Sequence, residues 1–351
     1  MENKEQTNDL EIKLKKSKKL NILFISLSIF FLCTTIFFIY GLSVANLNYF
    51  QSDELIDQVA YRYNEETDSY MVVGFGKLES NNPRHLTKAE AQVKLVDEIK
   101  GKPVTTIRFG AFSGTHIESI VLSKHIERIE NSAFLGTPLN NIVWNDKVNY
   151  IEAYAFDRTF IETLIIPKSV KVIEYKAFHL NSALRELTFN SEELEIQPYA
   201  FFNSYNLESV TFNGKTNIGE YAFATCRVCD IKFMDDVTIG DHAFYGSGQI
   251  DLLSFNGKTE IGRYAFVASY ISYVDLTNVI SIDQFAFSAQ TIRGAYFSKN
   301  VPSVMTDSFQ QVKCIYFEDD EWLGFDFNSL EVITKFNHDD FITYIVRWIP
   351  I

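Results

Sequence analysis

The chain lacks the residue clusters on which most enzyme chemistry rests. Its six histidines are His85, His116, His125, His179, His242 and His338. None pairs at metal-ligand spacing, and there is no H-E-x-x-H. No G-x-S-x-G turn exists to expose a nucleophilic serine. Gly74-Phe75-Gly76 is followed by neither a helical pattern nor a lysine in register, so it is no phosphate loop. The acidic runs Asp235-Asp236 and Glu318-Asp319-Asp320-Glu321 lack the D-x-D-x-D-G spacing that wraps carboxylates round calcium. They read as solvated turn charges. The chain is therefore expected to be no enzyme, with no catalytic residue, metal or cofactor.

Cysteine is scarce, with four residues. Cys226-Arg227-Val228-Cys229 is a C-x-x-C, but zinc would need two further ligands and no second such pair exists. The motif reads as a turn cysteine plus a strand residue, open to a Cys226–Cys229 disulfide outside the cell. Cys314 is left over, and Cys33 follows a bulky Leu32 where a lipoprotein site needs a small residue. Positive charge is also short: the net charge is −13, and the first nineteen residues contribute +2, leaving −15 on the rest. An acidic surface of that size argues against nucleic acid. No Asn-x-Ser/Thr sequon occurs, which favours a cell that does not N-glycosylate, and hence a bacterial protein.

One absence is local. Leu20 to Ser52 contains no charged residue. Its apolar heart, Ile22 to Ala45, would reach about 36 Å as a helix, enough to cross a hydrocarbon core with some tilt. Lys13, Lys15, Lys16, Lys18 and Lys19 precede it, and no Lys or Arg follows until Arg62. The positive-inside rule then places residues 1–19 in the cytoplasm, residues 20–45 in the membrane and the rest outside. Ser43-Val44-Ala45 would also suit cleavage of a signal peptide, but the apolar stretch is longer than the ~7–15 residues usual there, so an uncleaved anchor is expected.

What the chain does have is a beat. An Ile, three residues and Ala-Phe recur, with the phenylalanines at Phe112, Phe134, Phe156, Phe178, Phe201, Phe223, Phe244, Phe266, Phe287 and Phe309. The intervals of 21 to 23 residues signal a solenoid, whose units bury their apolar faces only against their neighbours. After each Ala-Phe a polar turn leads to apolar-x-x-apolar-x-apolar, as in IESIVL from Ile117, LESVTF from Leu207 and VKCIYF from Val312. The last four residues alternate with period two, which makes a strand with one face inward. Turn residues such as Asn213-Gly214 and Asn256-Gly257 follow. A shorter extended piece then leads to the next Ile. Stacked at ~4.8 Å, ten units give a sheet about 45 Å long.

IGEYAF from Ile218, IGDHAF from Ile239, IGRYAF from Ile261 and the strand-ending Pro167 carry a resemblance to the BspA-type leucine-rich repeat family. The resemblance covers Ile107 to Phe317. It implies a mainly β leucine-rich repeat solenoid of about ten 21–23-residue units. It also implies a cell-surface protein that binds or adheres to other proteins. Segments from Tyr70 and Ile99 look like the cap and first partial repeat usual in that family. The expected organisation is 46–106 juxtamembrane segment and N-terminal cap, 107–317 repeats and 318–351 C-terminal cap. Caps are needed because an open stack exposes sheet edges.

The outward strand positions are the two that flank the middle apolar residue. Early units present Ser119, Val121, Asn141, Val143, Thr163 and Ile165, and middle units Glu186, Thr188, Ser209, Thr211, Asp230 and Lys232. Late units present Tyr273, Asp275, Tyr296, Cys314 and Tyr316, with Tyr296 and Tyr316 expected side by side. Asp230, Lys232, Tyr273, Asp275, Tyr296 and Tyr316 are the candidate protein-binding residues. The tyrosines suit either an interface anchor or cross-strand pairing that only stabilises the sheet. The ligand is an unknown protein of a host, a neighbouring cell or the chain's own envelope. The last case would make the chain a tethered scaffold or sensor.

Overall fold

The computed structural model describes residues 52–76, 91–288, 292–298, 303–304, 308, 314–317 and 331–333. The expected membrane segment, the cytoplasmic tail and most of the C-terminal cap lie outside the described residues. Among the described residues no helix is long and apolar enough to cross a membrane.

The described chain is a β-solenoid. Two kinds of strand ladder run along it. The first is one sheet of fourteen strands that extends through the whole stack. It opens with an antiparallel meander, Glu54–Ile56, Val59–Asn64 and Ser69–Phe75. Ser69–Phe75 then pairs parallel with Lys102–Ile107, and one short strand per unit follows, each ending on the beat Ile until the last, Ser303–Val304, which ends on Val. The second ladder carries the displayed strands and is broken into three sheets. These are Gln92–Lys94 to Asn141–Val143, Thr163–Ile166 to Asp230–Phe233, and Gln249–Leu253 to Glu331–Ile333. The continuous sheet is thus built by the shorter extended piece, and the strand with the stronger sequence pattern forms the interrupted one. The reason lies next door: the short strand runs straight into the corner, where backbone bonds fix its register in every unit.

That corner explains the beat. The amide of each phenylalanine donates to the carbonyl of the next unit's alanine: Phe112 to Ala133, Phe134 to Ala155, Phe156 to Ala177 and onward to Phe266 with Ala286. Two residues before each phenylalanine the backbone is left-handed, at Ser132, Tyr154, Lys176, Tyr199, Tyr221, His242, Tyr264 and Phe285, with φ from 55° to 62°. Two residues after it is left-handed again, at Arg158, Leu180, Asn203, Thr225 and Ala268 among others. Such a φ costs a non-glycine residue roughly 1–2 kcal/mol. The cost is offset by the bonds it permits, since the left-handed amides themselves donate to the next unit, as Tyr199 does to Glu220.

Inside the corner the phenylalanine rings form one column. From Phe112 to Phe287 successive centroids are 4.9–5.4 Å apart and nearly parallel. All are buried, each contributing about 1.5–3 kcal/mol by leaving water. In the middle units Phe189, Phe212, Phe233 and Phe255 form a second column at the ends of the displayed strands or just beyond. Members of this column meet the first edge-on, as Phe212 meets Phe223.

Three residues after each phenylalanine stands a small donor, in turn Thr115, Thr137, Thr159, Asn181, Ser204, Cys226, Ser247 and Ser269. Each satisfies a phenylalanine carbonyl of its own or the preceding unit. Thr137 Oγ1 donates to Phe134 at 2.9 Å, Asn181 Nδ2 to Phe156 at 2.8 Å and Cys226 Sγ to Phe201 at 3.2 Å. The Cys226–Cys229 disulfide that the sequence left open is not formed, and both thiols are free. Cys226 is buried with its thiol engaged in this row, whereas Cys229 is exposed and donates to the Glu208 carbonyl. Buried Val228 lies between them, and the alternation that turns one thiol inward turns the other out.

Candidate protein-recognition face

The displayed strands hold two outward rows. One runs Ser119 to Asn141, then Thr163, Glu186, Ser209 and Asp230. The other runs Val121 to Val143, then Ile165, Thr188, Thr211 and Lys232. Inward residues between them, from Leu164 to Phe233, are buried, so the alternation read from the sequence holds through the sixth unit. The face is open along this length, and two of its exposed members are apolar: Val143 is 46% exposed and Ile165 54%. Asp230 and Lys232, both exposed, pair with each other at 3.1 Å. A surface pair of this kind contributes little to stability, which leaves both groups available to a partner.

The late units differ. The register is as expected, with Asp275 beside Tyr296 and Tyr296 beside Tyr316. The exposure is not. Tyr296 is fully buried, Tyr273 and Tyr316 are each 6% exposed, and Asp275 is 7% exposed. Gly294 supplies part of the reason. A Cβ there would lie 2.7 Å from Tyr316 Cε2 and 3.2 Å from Tyr273 Cδ1, so these two rings close over the slot that the missing side chain leaves. Asp275 turns inward on its own strand end, where Oδ1 accepts from the amide and hydroxyl of Thr277. The four residues are brought together, but as packing rather than as a displayed surface. This geometry matches cross-strand aromatic pairing. The side chain of Cys314 lies outside the described residues.

Chemistry on this scaffold is limited. Among the described residues no group of His, Cys, Asp and Glu could hold a metal ion. His179 and Asp157 approach to 3.1 Å in adjacent corners, yet among the described residues no hydroxyl or thiol bonds to His179, so the pair has no nucleophile to activate. Burial pushes the Cys226 thiol up to about 12. Burial, Glu208 and Asp230 also raise that of Cys229. Neither is an activated thiolate.

One surface was missed by sequence reading. The left-handed corner residues Tyr199, Tyr221, His242, Tyr264 and Phe285 stack as a half-buried column, 4.5–5.1 Å apart. Tyr154 and Tyr175 extend it edge-on at 5.7 and 5.8 Å. The signal was visible, since His242 occupies the position of Tyr154, Tyr199, Tyr221 and Tyr264 in the beat. Only the corner geometry shows that these rings touch and line an edge of the solenoid.

Two stacked ladders, a buried ring column and an outward strand face define a leucine-rich repeat scaffold. The model of the BspA-type leucine-rich repeat region matches residues 105–229 and 194–317, and the chain belongs to that family. Comparison with curated protein sequences finds no match. Among solved structures the chain is similar to the pneumococcal vaccine antigen PcpA, at 15% identity over 84% of this chain and 95% of that one, with a TM-score of 0.43. It is also similar to a leucine-rich repeat protein from Bacteroides ovatus, at 14% identity over 75% and 94%, TM-score 0.34. A leucine-rich cell surface protein from Faecalibacterium prausnitzii is similar at 15% identity over 75% of each chain, TM-score 0.39.

Proposed function

We propose that the chain is a membrane-anchored cell-surface protein that recognises another protein through the open display face between Ser119 and Lys232. The observation that carries this reading is the pair of exposed apolar residues, Val143 and Ile165, on consecutive displayed strands beside a polar and charged row. Apolar side chains displayed on a preorganised surface and rimmed by polar groups are what protein interfaces use. The family supports protein–protein interaction. The one-sided lysines before an uncharged stretch support the anchor, with the N-terminus cytoplasmic and the repeats outside.

The test is capture by the full chain from cell-surface and envelope extracts, with a Val143→Asp/Ile165→Asp variant in parallel. A protein held by the wild type and lost by the variant supports the face. Equal capture by both moves the site elsewhere. Whether the captured protein comes from another cell or from the chain's own envelope separates adhesion from a tethered scaffold. N-terminal sequencing of the mature protein checks the anchor, and a start at Asn46 overturns it.

A further inference from the structure

The aromatic edge is unlike the display face. Its rings are held by left-handed backbone and by one another, so they lose little freedom on binding. Tyr175 and Tyr245, whose rings meet the column, are exposed, and Phe202 packs edge-on against Tyr199. An exposed aromatic patch of this kind marks an interaction site. Two of its charges flank Tyr199, while Arg263 lies over the Tyr264 ring further along. Lys176 sits over the Tyr175 and Tyr199 rings at 5.1 and 5.7 Å, one unit before Tyr199. Glu220 is exposed one unit after it, close enough that its charge helps burial raise the Tyr199 phenol. Among the described residues neither Lys176 nor Glu220 has a salt-bridge partner.

We propose that this edge is a homophilic contact, in which two copies of the chain pair antiparallel about Tyr199. Two arguments select a second copy as the occupant. First, the rungs repeat at about 5 Å, the stacking distance of a β ladder. Another copy has the same rise, so about Tyr199 the five rungs from Tyr154 to His242 can each meet a rung, whereas an irregular surface would match one or two. Second, the two charges flanking Tyr199 favour one arrangement about it. Parallel pairing sets Lys176 against Lys176 and Glu220 against Glu220. Antiparallel pairing about Tyr199 sets Lys176 of each copy against Glu220 of the other, twice over, as a two-fold interface requires. It also places the two N-terminal hairpins at opposite ends, so copies on facing surfaces can engage. The contact is separate from the display face and stands or falls without it.

Sedimentation velocity of the full chain in detergent tests this with four proteins: wild type, Lys176→Glu, Glu220→Lys and the double reversal. The wild type is expected to dimerise as concentration rises, each single reversal to weaken the dimer by roughly tenfold or more, and the double reversal to restore it. Val143→Asp/Ile165→Asp should dimerise like the wild type. A wild type that stays monomeric to about 100 μM overturns the proposal. So does association that all four proteins share equally, which would assign it to another surface. Thermal unfolding of each variant shows that the fold is intact.

Discussion

The display face from Ser119 to Lys232 and its continuation from Tyr273 to Tyr316 use one strand register and one kind of unit, yet one is open and the other closed. In the first, outward positions hold Thr163, Glu186, Ser209 and Asp230 in one row, side chains that stand off the sheet into water. In the second, the equivalent row has Leu252, Tyr273 and then Gly294. A glycine between tyrosines lets flexible large rings lie down where rigid short ones would stand. The same backbone thus yields an open face or an extra packing layer, and Gly294 is part of what decides between them. Tyrosine content alone is a poor guide to an interface.

The largest effect should come from what the two regions share. Phe201→Ala opens the ring column and should cost about 3–5 kcal/mol in chemical denaturation. If the midpoint barely moves, the column is not the spine of the stack. The next experiment separates the regions. Tyr273→Ala/Tyr316→Ala removes buried rings and should destabilise by several kcal/mol, while Val143→Asp/Ile165→Asp should stay within about 1 kcal/mol of wild type. Equal effects on melting would erase the distinction between closed and open faces.

High pH should act on the N-terminal meander and on the corners. Burial holds the Tyr61 and Tyr154 phenols at about 12 against an ordinary 10.0, and the Cys226 thiol at about 12 against 9.0. Each group charges more easily when unfolded. The stability they contribute is full below pH 9 and is lost as pH rises towards about 12. Stability measured from pH 8 to 12 should fall accordingly, and Tyr154→Phe should flatten the slope; a rising curve would contradict it. The smallest effect is local. A thiol reagent at neutral pH should label Cys229 in the native protein and spare Cys226 until it unfolds, as read by mass spectrometry. Fast labelling of Cys226 would place it outside the buried donor row.

Much of this was legible in the residues. The Ile-x-x-x-Ala-Phe spacing gave the unit, its strand register and the adjacency of Tyr296 and Tyr316, because period-two alternation leaves no freedom once one position is fixed. The corner was not legible. Left-handed backbone at Tyr199, Lys176 or His242 has no residue signature; it is imposed by the bonds between units, and only then do the rings at that position stack. Nor could spacing show that Cys226 and Cys229, three apart, face opposite ways across Val228.

The amino-acid sequence by itself determined a solenoid of fixed pitch, its buried columns and its outward rows, since those follow from periodicity and the burial of large apolar side chains. Tertiary structure decided which outward residues meet water. That depends on whether a side chain stands or lies down. At Gly294 the choice rests on empty volume between neighbours some twenty residues away in the chain, a quantity no local pattern contains.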